Sequence, residues 1–252
     1  PARYGGRMGA ILNVINREGN TQKITGSANL SFISSKALLE GPIPKWKGMK
    51  GSWMISGRRT YFDKVIDVLQ IPTGQQRSDG SDVNFEFPYY FYDYQVKVNL
   101  DLNPDHRLTY SRFYGDDVLD FSWDDTQQTS NANVNIQSDF NTRINWPWGN
   151  HTNGLTWRWI VSPEVVAKTF YSNSRYRFDF DLSFEDRDTY TYADSTVTYF
   201  TNFNFEIYDI IKDNTLETEV SWKATENQEV TSGFQIKNID FDLGMVFKII
   251  DQ

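Results

Sequence analysis

The sequence predicts an all-β fold, an antiparallel transmembrane β-barrel, and three observations carry that prediction. Apolar and polar residues alternate over unusual lengths. Tight turns take turns with longer polar segments along the chain. Aromatic residues gather at one end of the best-defined strand.

The clearest alternation starts at Tyr90. Tyr90, Tyr92, Tyr94, Val96, Val98, Leu100 and Leu102 fall on even positions, and Asp93, Gln95, Lys97, Asn99 and Asp101 lie between them. Successive side chains of a strand point to opposite faces, so this is one strand with an apolar and a polar face. It is about twice the usual ~5–6 residues of a soluble strand. Its aromatics lead and its aliphatics follow, as in an aromatic girdle above a hydrocarbon-facing band.

The same period recurs along the chain. Ile24–Phe32 alternates near the start, and Leu155, Trp157, Trp159 and Val161 alternate further on. Tyr176–Phe184, Val197–Ile207 and Leu216–Trp222 follow. About ten meandering strands are expected. Pro44–Gly51, Asn103–His106, Ser162–Glu164 and Lys212–Asn214 read as tight turns. Residues 64–88, 123–152 and 186–195 read as long loops on the opposite side. Tyr61–Leu69 fits either a short amphipathic helix, with Phe62, Val65, Ile66 and Leu69 on one face, or a strand end entering a loop.

Composition narrows the function. With 25 Lys+Arg against 33 Asp+Glu the net charge is −8, which argues against a nucleic-acid partner. The chain has no Cys, which removes disulfides, thiol catalysis and Cys-ligated metal. No apolar run approaches the ~18 residues of a membrane-spanning helix. Mean hydropathy is −0.57, an average in which two unlike faces cancel.

Residues 1–19 differ from the rest. Tyr4-Gly5-Gly6-Arg7-Met8-Gly9 is Gly-rich, Ala10–Ile15 is mainly apolar, and Asn16-Arg17-Glu18-Gly19 is polar. This order resembles the end of the plug domain of TonB-dependent outer-membrane receptors, where a last plug strand leads into the first barrel strand. Leu39-Glu40-Gly41-Pro42-Ile43 and Ser56-Gly57-Arg58-Arg59-Thr60-Tyr61-Phe62-Asp63 resemble the second and third barrel strands of one large subgroup of that family. Tyr92–Asn99 looks like the fourth, and Trp148–Thr152 leading to Leu155–Trp159 looks like the sixth.

The resemblance implies residues 1–19 as the end of a plug and 20–252 as the first part of a barrel. It implies active uptake of a scarce ligand across a bacterial outer membrane, and no enzymatic chemistry or cofactor. The ligand would be a ferric siderophore, cobalamin or another small organic compound. Partners would be outer-membrane lipid and a TonB-type energy-transducing protein, reached through a segment upstream of residue 1. Family members have a full plug and 22 strands, so the chain is expected to be a fragment. Two other classes stay open: a non-transport barrel (adhesin or surface assembly platform) and a secreted carbohydrate-binding β-sandwich.

Candidate site residues follow from face and loop position. The alternation points Arg58 at the lumen, where it can pair with plug carboxylates or meet an anionic ligand. Arg59 falls on the lipid-facing register and is expected near the interface. Trp123, Trp146 and Trp148 lie in the second long segment and can stack on a ligand. Asp116, Asp117 and Asp120 form an acidic cluster that could hold Ca²⁺ or be a solvated loop. His106 and His151 are expected in a turn and a loop on opposite sides of the membrane, too far apart for a metal pair or a catalytic dyad.

Overall fold

The computed structural model describes residues 15–44, 48–62, 64–65, 75–76, 82–86, 89–131 and 133–251. These residues are all-β apart from a single helical turn after Tyr61, whose carbonyl accepts from Lys64 and Val65. The remainder of the expected Tyr61–Leu69 helix, and the expected strand at 10–15 save Ile15, lie outside the described residues. So does residue 1–14 of the expected plug segment.

The strands are β1 (Thr25–Leu30), β2 (Ser34–Pro42), β3 (Lys50–Thr60), β4 (Gln75–Gln76), β5 (Asp82–Glu86), β6 (Tyr89–Asp101), β7 (His106–Ser130), β8 (Asn135–Ser162), β9 (Val165–Thr191), β10 (Thr196–Thr225) and β11 (Gln228–Asp251). One antiparallel sheet runs β1-β2-β3-β6-β7-β8-β9-β10-β11, with β4 on β5 and β5 on the far end of β7. The sheet is not closed. The meander follows from the short connections, since antiparallel neighbours need only a hairpin.

The turns at 103–106 and 162–164 form as the sequence predicts. At the first, Asn103 Oδ1 accepts from the amides of Asp105 and His106, both at 2.9 Å, an Asx turn. The expected turn at Lys212–Asn214 does not form. These residues lie within the 30-residue β10 and face Asp240, Ile239 and Asn238 on β11. The actual turn is at Glu226-Asn227. Nor are 123–152 and 186–195 long loops. Residues 123–130 and 135–152 belong to β7 and β8 and 186–191 to β9, leaving only the connections 131–134 and 192–195 between strands. β8 has 28 residues, roughly 90 Å of chain at ~3.3 Å per residue.

The register explains why Lys212–Asn214 resembles a turn. Near the turns at 102–105, 163–164 and 226–227, the face that carries Tyr92 is apolar. Leu108, Leu155, Trp157, Tyr171, Leu216, Trp222 and Ile236 stand on it, neighbour opposite neighbour. The reverse face, which carries Asn99, is there mainly polar, with Thr109, Thr156, Ser172, Glu217 and Gln235 and one phenylalanine, Phe170, among them. Toward the other end the faces exchange character on β8–β11. Trp148, Phe178, Phe180, Phe205 and Phe247 share the Asn99 face, while Asp181, Glu206 and Lys212 are on the Tyr92 face. A stretch polar on both faces intervenes, with Asn173–Arg175 on β9 and Lys212–Thr215 on β10. A run of polar residues that resets the alternation reads as a turn, yet the strand continues through it.

Candidate inner face and its aromatic wall

Residues 15–19 cross the polar part of the Asn99 face, and three cations tie them there. Arg17 donates to both Glu40 oxygens, at 2.6 and 2.8 Å. Lys97 Nζ donates to the Asn16 carbonyl, and Arg107 pairs with Glu18. Glu40, Lys97 and Arg107 come from β2, β6 and β7. Under this segment lie the most buried side chains described: Ser52 and Asn99 at 1% exposure and Met54 at 3%. Gly19 is required there, because a Cβ would collide with the Trp53 carbonyl.

No described residue covers the apolar part of the Tyr92 face. Trp222 is 51% exposed and Ile236 is 63% exposed. At its turn end, the His106 ring stacks on Trp157 and Trp159 at 5.7 and 5.6 Å, and Trp157 Nε1 donates to His106 Nδ1 at 3.2 Å. Eight residues along β7, Tyr114 stacks on Tyr94 at 5.1 Å and meets His151 edge-on at 4.3 Å. Two aromatic rows thus bound the apolar stretch. His106 begins β7, and His151 sits in β8 rather than in a loop, far from His106 as expected. Arg59 faces the same side, over the Tyr90 ring at 5.0 Å.

At the far end of the Asn99 face the aromatics form a wall. Trp146 packs on Trp148, Phe178 and Phe180 at 5.6, 5.8 and 5.7 Å. Tyr89 stacks on Trp148 at 6.5 Å, and Phe180 meets Phe205 at 6.4 Å. Trp146 Nε1 is buried with no hydrogen-bond partner among the described residues. A donor left so costs on the order of 1–3 kcal/mol.

Arg58, Trp123, Trp146 and Trp148 all stand on the Asn99 face, but they do not form one cluster. Arg58 pairs with Asp93 on the neighbouring strand and lies over the Phe91 ring at 4.8 Å. Its carboxylate partner among the described residues is in the sheet itself, and the sheet arginine that pairs with described residues 15–19 is Arg107. Trp123 is six residue pairs beyond Trp148 along β7–β8 and is 43% exposed. Trp146 and Trp148 adjoin. Phe178 and Phe180 were visible in the sequence as alternation, but only the register puts them, together with Tyr89, beside these tryptophans.

Asp116, Asp117 and Asp120 do not converge. Asp117 is on the Asn99 face and accepts from the Tyr89 hydroxyl at 2.8 Å. Asp116, on the other face, accepts from the Tyr92 and Tyr114 hydroxyls at 3.1 and 2.7 Å. Asp120 takes a two-pronged bond from Arg143, at 2.9 and 2.6 Å. Among the described residues no group of three His, Asp or Glu side chains stands ready to hold a metal. Beyond the aromatic wall, burial and then the charge of Asp188 raise the Asp186 carboxyl above its ordinary range. Asp181 is raised likewise, by burial and then by Asp179.

Aromatic surface, an orphaned indole donor and fixed charges suit binding of a small molecule with planar or apolar parts. No protein-family model matches the chain, and no curated protein matches it.

Proposed function

We propose that this chain is part of the wall of a bacterial outer-membrane β-barrel that takes up a scarce small ligand. The exchange of faces carries the reading. At one level the Tyr92 face is apolar and bare while the Asn99 face is polar and covered, the pattern of a wall between lipid and lumen. Beyond the belt the Tyr92 face of β8–β11 turns polar, as a wall does where it leaves the membrane for water. On β7, His106 and Tyr114 are eight residues apart. At ~3.3 Å per residue and ~40° tilt this is ~20 Å of height, near the ~25 Å of an outer-membrane apolar band. Ring stacks at both margins fit the two aromatic girdles.

The clamp on residues 15–19 supports a plug entering the lumen beside β2, β3, β6 and β7. Arg17, Glu18, Glu40 and Arg107 would hold its end while a TonB-type partner moves the rest. The aromatic wall above is the surface offered to a ferric siderophore, cobalamin or similar compound. The reading requires further strands joining β11 to β1, because an open edge has no place in lipid.

The test uses the whole gene. The protein should fractionate with the outer membrane, run faster on gels unheated than boiled, and support uptake of a labelled ferric siderophore or cobalamin only with a TonB-type partner present. Outer-membrane location with partner-independent function on the cell surface would favour an adhesin or assembly platform. A product soluble without detergent would overturn the barrel.

A further inference from the structure

Moving away from the 163–164 and 226–227 turns, the Tyr92 face changes twice. Above Leu155, Tyr171, Leu216 and Ile236 comes a row of asparagines: Asn153, Asn173, Asn214 and Asn238 stand opposite one another across β8–β11. Above these, His151, Arg175 and Lys212 stand opposite one another. Arg112 on β7 flanks Asn153, and Arg177 follows Arg175 on the same face.

Like charges directly opposite on a sheet are destabilising, so Arg175 beside Lys212 calls for an anion. The carboxylates nearby do not supply enough. Arg177 has Asp179 at 3.1 Å, and Lys212 faces Asp240 on β11. Asp116 is occupied by two tyrosine hydroxyls. Arg175 has no carboxylate within ion-pair distance among the described residues, and Arg112 Nε donates to the Tyr94 hydroxyl at 3.1 Å rather than to an acid. Two guanidinium groups are thus without a carboxylate, and His151 Nε2, between their strands, is buried with no hydrogen-bond partner among the described residues.

We propose that this patch binds the phosphates of outer-leaflet lipid headgroups. The inference rests on the membrane reading above, and it adds the ligand class and the residues. Guanidinium groups form two-pronged bonds to phosphate. The asparagine row adds neutral hydrogen-bonding groups at the same level. The position selects a lipid over a soluble phosphate: the apolar band begins directly below, so acyl chains of the same molecule lie along Tyr171, Leu216 and Ile236. The patch is on the side of the band away from the shortest turns, which is the outer leaflet in a barrel of this kind.

The experiment uses the full-length protein in detergent micelles doped with a bis-phosphorylated lipid A, and counts lipid retained after gel filtration by mass spectrometry. Retention is expected for the native protein. It should fall roughly 30-fold in affinity for Arg175→Gln with Lys212→Gln, the contribution of two cations at an anionic lipid surface. The charge-keeping pair Arg175→Lys with Lys212→Arg should restore it, which separates lost charge from lost fold. Dephosphorylated lipid A should not be retained, and excess inorganic phosphate should not compete. Equal retention by the Gln variant, or of the dephosphorylated lipid, overturns the proposal. Heat-modifiable mobility is measured on the same samples, so a failure of the barrel itself is seen separately.

Discussion

Arg17 and Glu40 are bound through a single arginine nitrogen that donates to both carboxylate oxygens, at 2.6 and 2.8 Å. The Thr25 hydroxyl adds a third bond at 3.2 Å. The Glu40 side chain is 7% exposed and that of Arg17 is 63% exposed, so the two ends of this pair differ in what they cost. Removing Arg17 strands a buried charge; removing Glu40 frees a solvated one.

Arg17→Ala should therefore destabilise by roughly 2–3 kcal/mol, the penalty of an unpaired buried carboxylate. Glu40→Gln, which keeps a Thr25 acceptor, should cost less. Amide exchange at residues 16–19 should quicken in both. Unchanged exchange would mean that Lys97 and Arg107 hold the segment without this pair.

The exchange of faces predicts which tryptophans meet lipid. In single-tryptophan variants, Trp157, Trp159 and Trp222 should be quenched by lipids brominated on the acyl chain. Trp146 and Trp148 should be spared. Equal quenching of the two sets would contradict a lipid-facing Tyr92 side.

Gly149 lies in β8 opposite Asp116, and a Cβ there would collide with the Gly115 carbonyl and the Asp116 carboxylate. Backbone cannot swing aside, so Gly149→Ala should cost about 1–3 kcal/mol. At Gly57 the nearest atom to an added Cβ is the Asp93 carbonyl oxygen at 3.5 Å, an ordinary contact. Gly57→Ala should stay within ~0.5 kcal/mol of native. Thermal unfolding of both in the same detergent decides the comparison.

Trp146→Phe removes the orphaned indole N–H and keeps most of the ring contacts with Phe178 and Phe180. Stability should hold or rise. If the wall binds a ligand through that donor, affinity should drop about tenfold, the scale of one hydrogen bond. A stability loss on the scale of a core cavity would show that the indole packs the wall and does nothing more.

The raised Asp186 carboxyl has a definite pH sign. Its folded form holds its proton to higher pH than the unfolded chain does, so stability is greatest below the ordinary carboxylate range. It declines as pH rises from there through the raised value. Asp186→Asn should flatten that slope in the β9–β10 end of the sheet. Amide exchange near residues 186–201, followed from acid to neutral pH, reads it.

The alternation from Tyr90 to Leu102 was enough to set β6 within one residue, because period 2 leaves no other regular structure. Asn103 and Pro163 marked their turns by local backbone chemistry. Composition bounded the class as well, since the absence of Cys and the acidic balance are properties of the chain in any fold. Arg58 could be assigned to a face by parity alone, whereas the tryptophans at 146 and 148 read as loop residues and took their face from the register.

Parity counted within a single segment does not carry across a polar interruption. Lys212–Asn214 is hydrophilic on both faces, so the sequence by itself cannot distinguish a turn from a strand whose apolar face has changed sides. Hydrogen-bonded register decides it. Pairing with Arg175 to Asn173 on one side and with Asp240 to Asn238 on the other carries β10 straight through the polar stretch. The same register puts Phe178 beside Trp146, sends Arg107 rather than Arg58 to the entry segment, and separates Asp116 from Asp117. These are contacts between residues far apart in the chain, and they exist only once neighbouring strands have fixed their alignment.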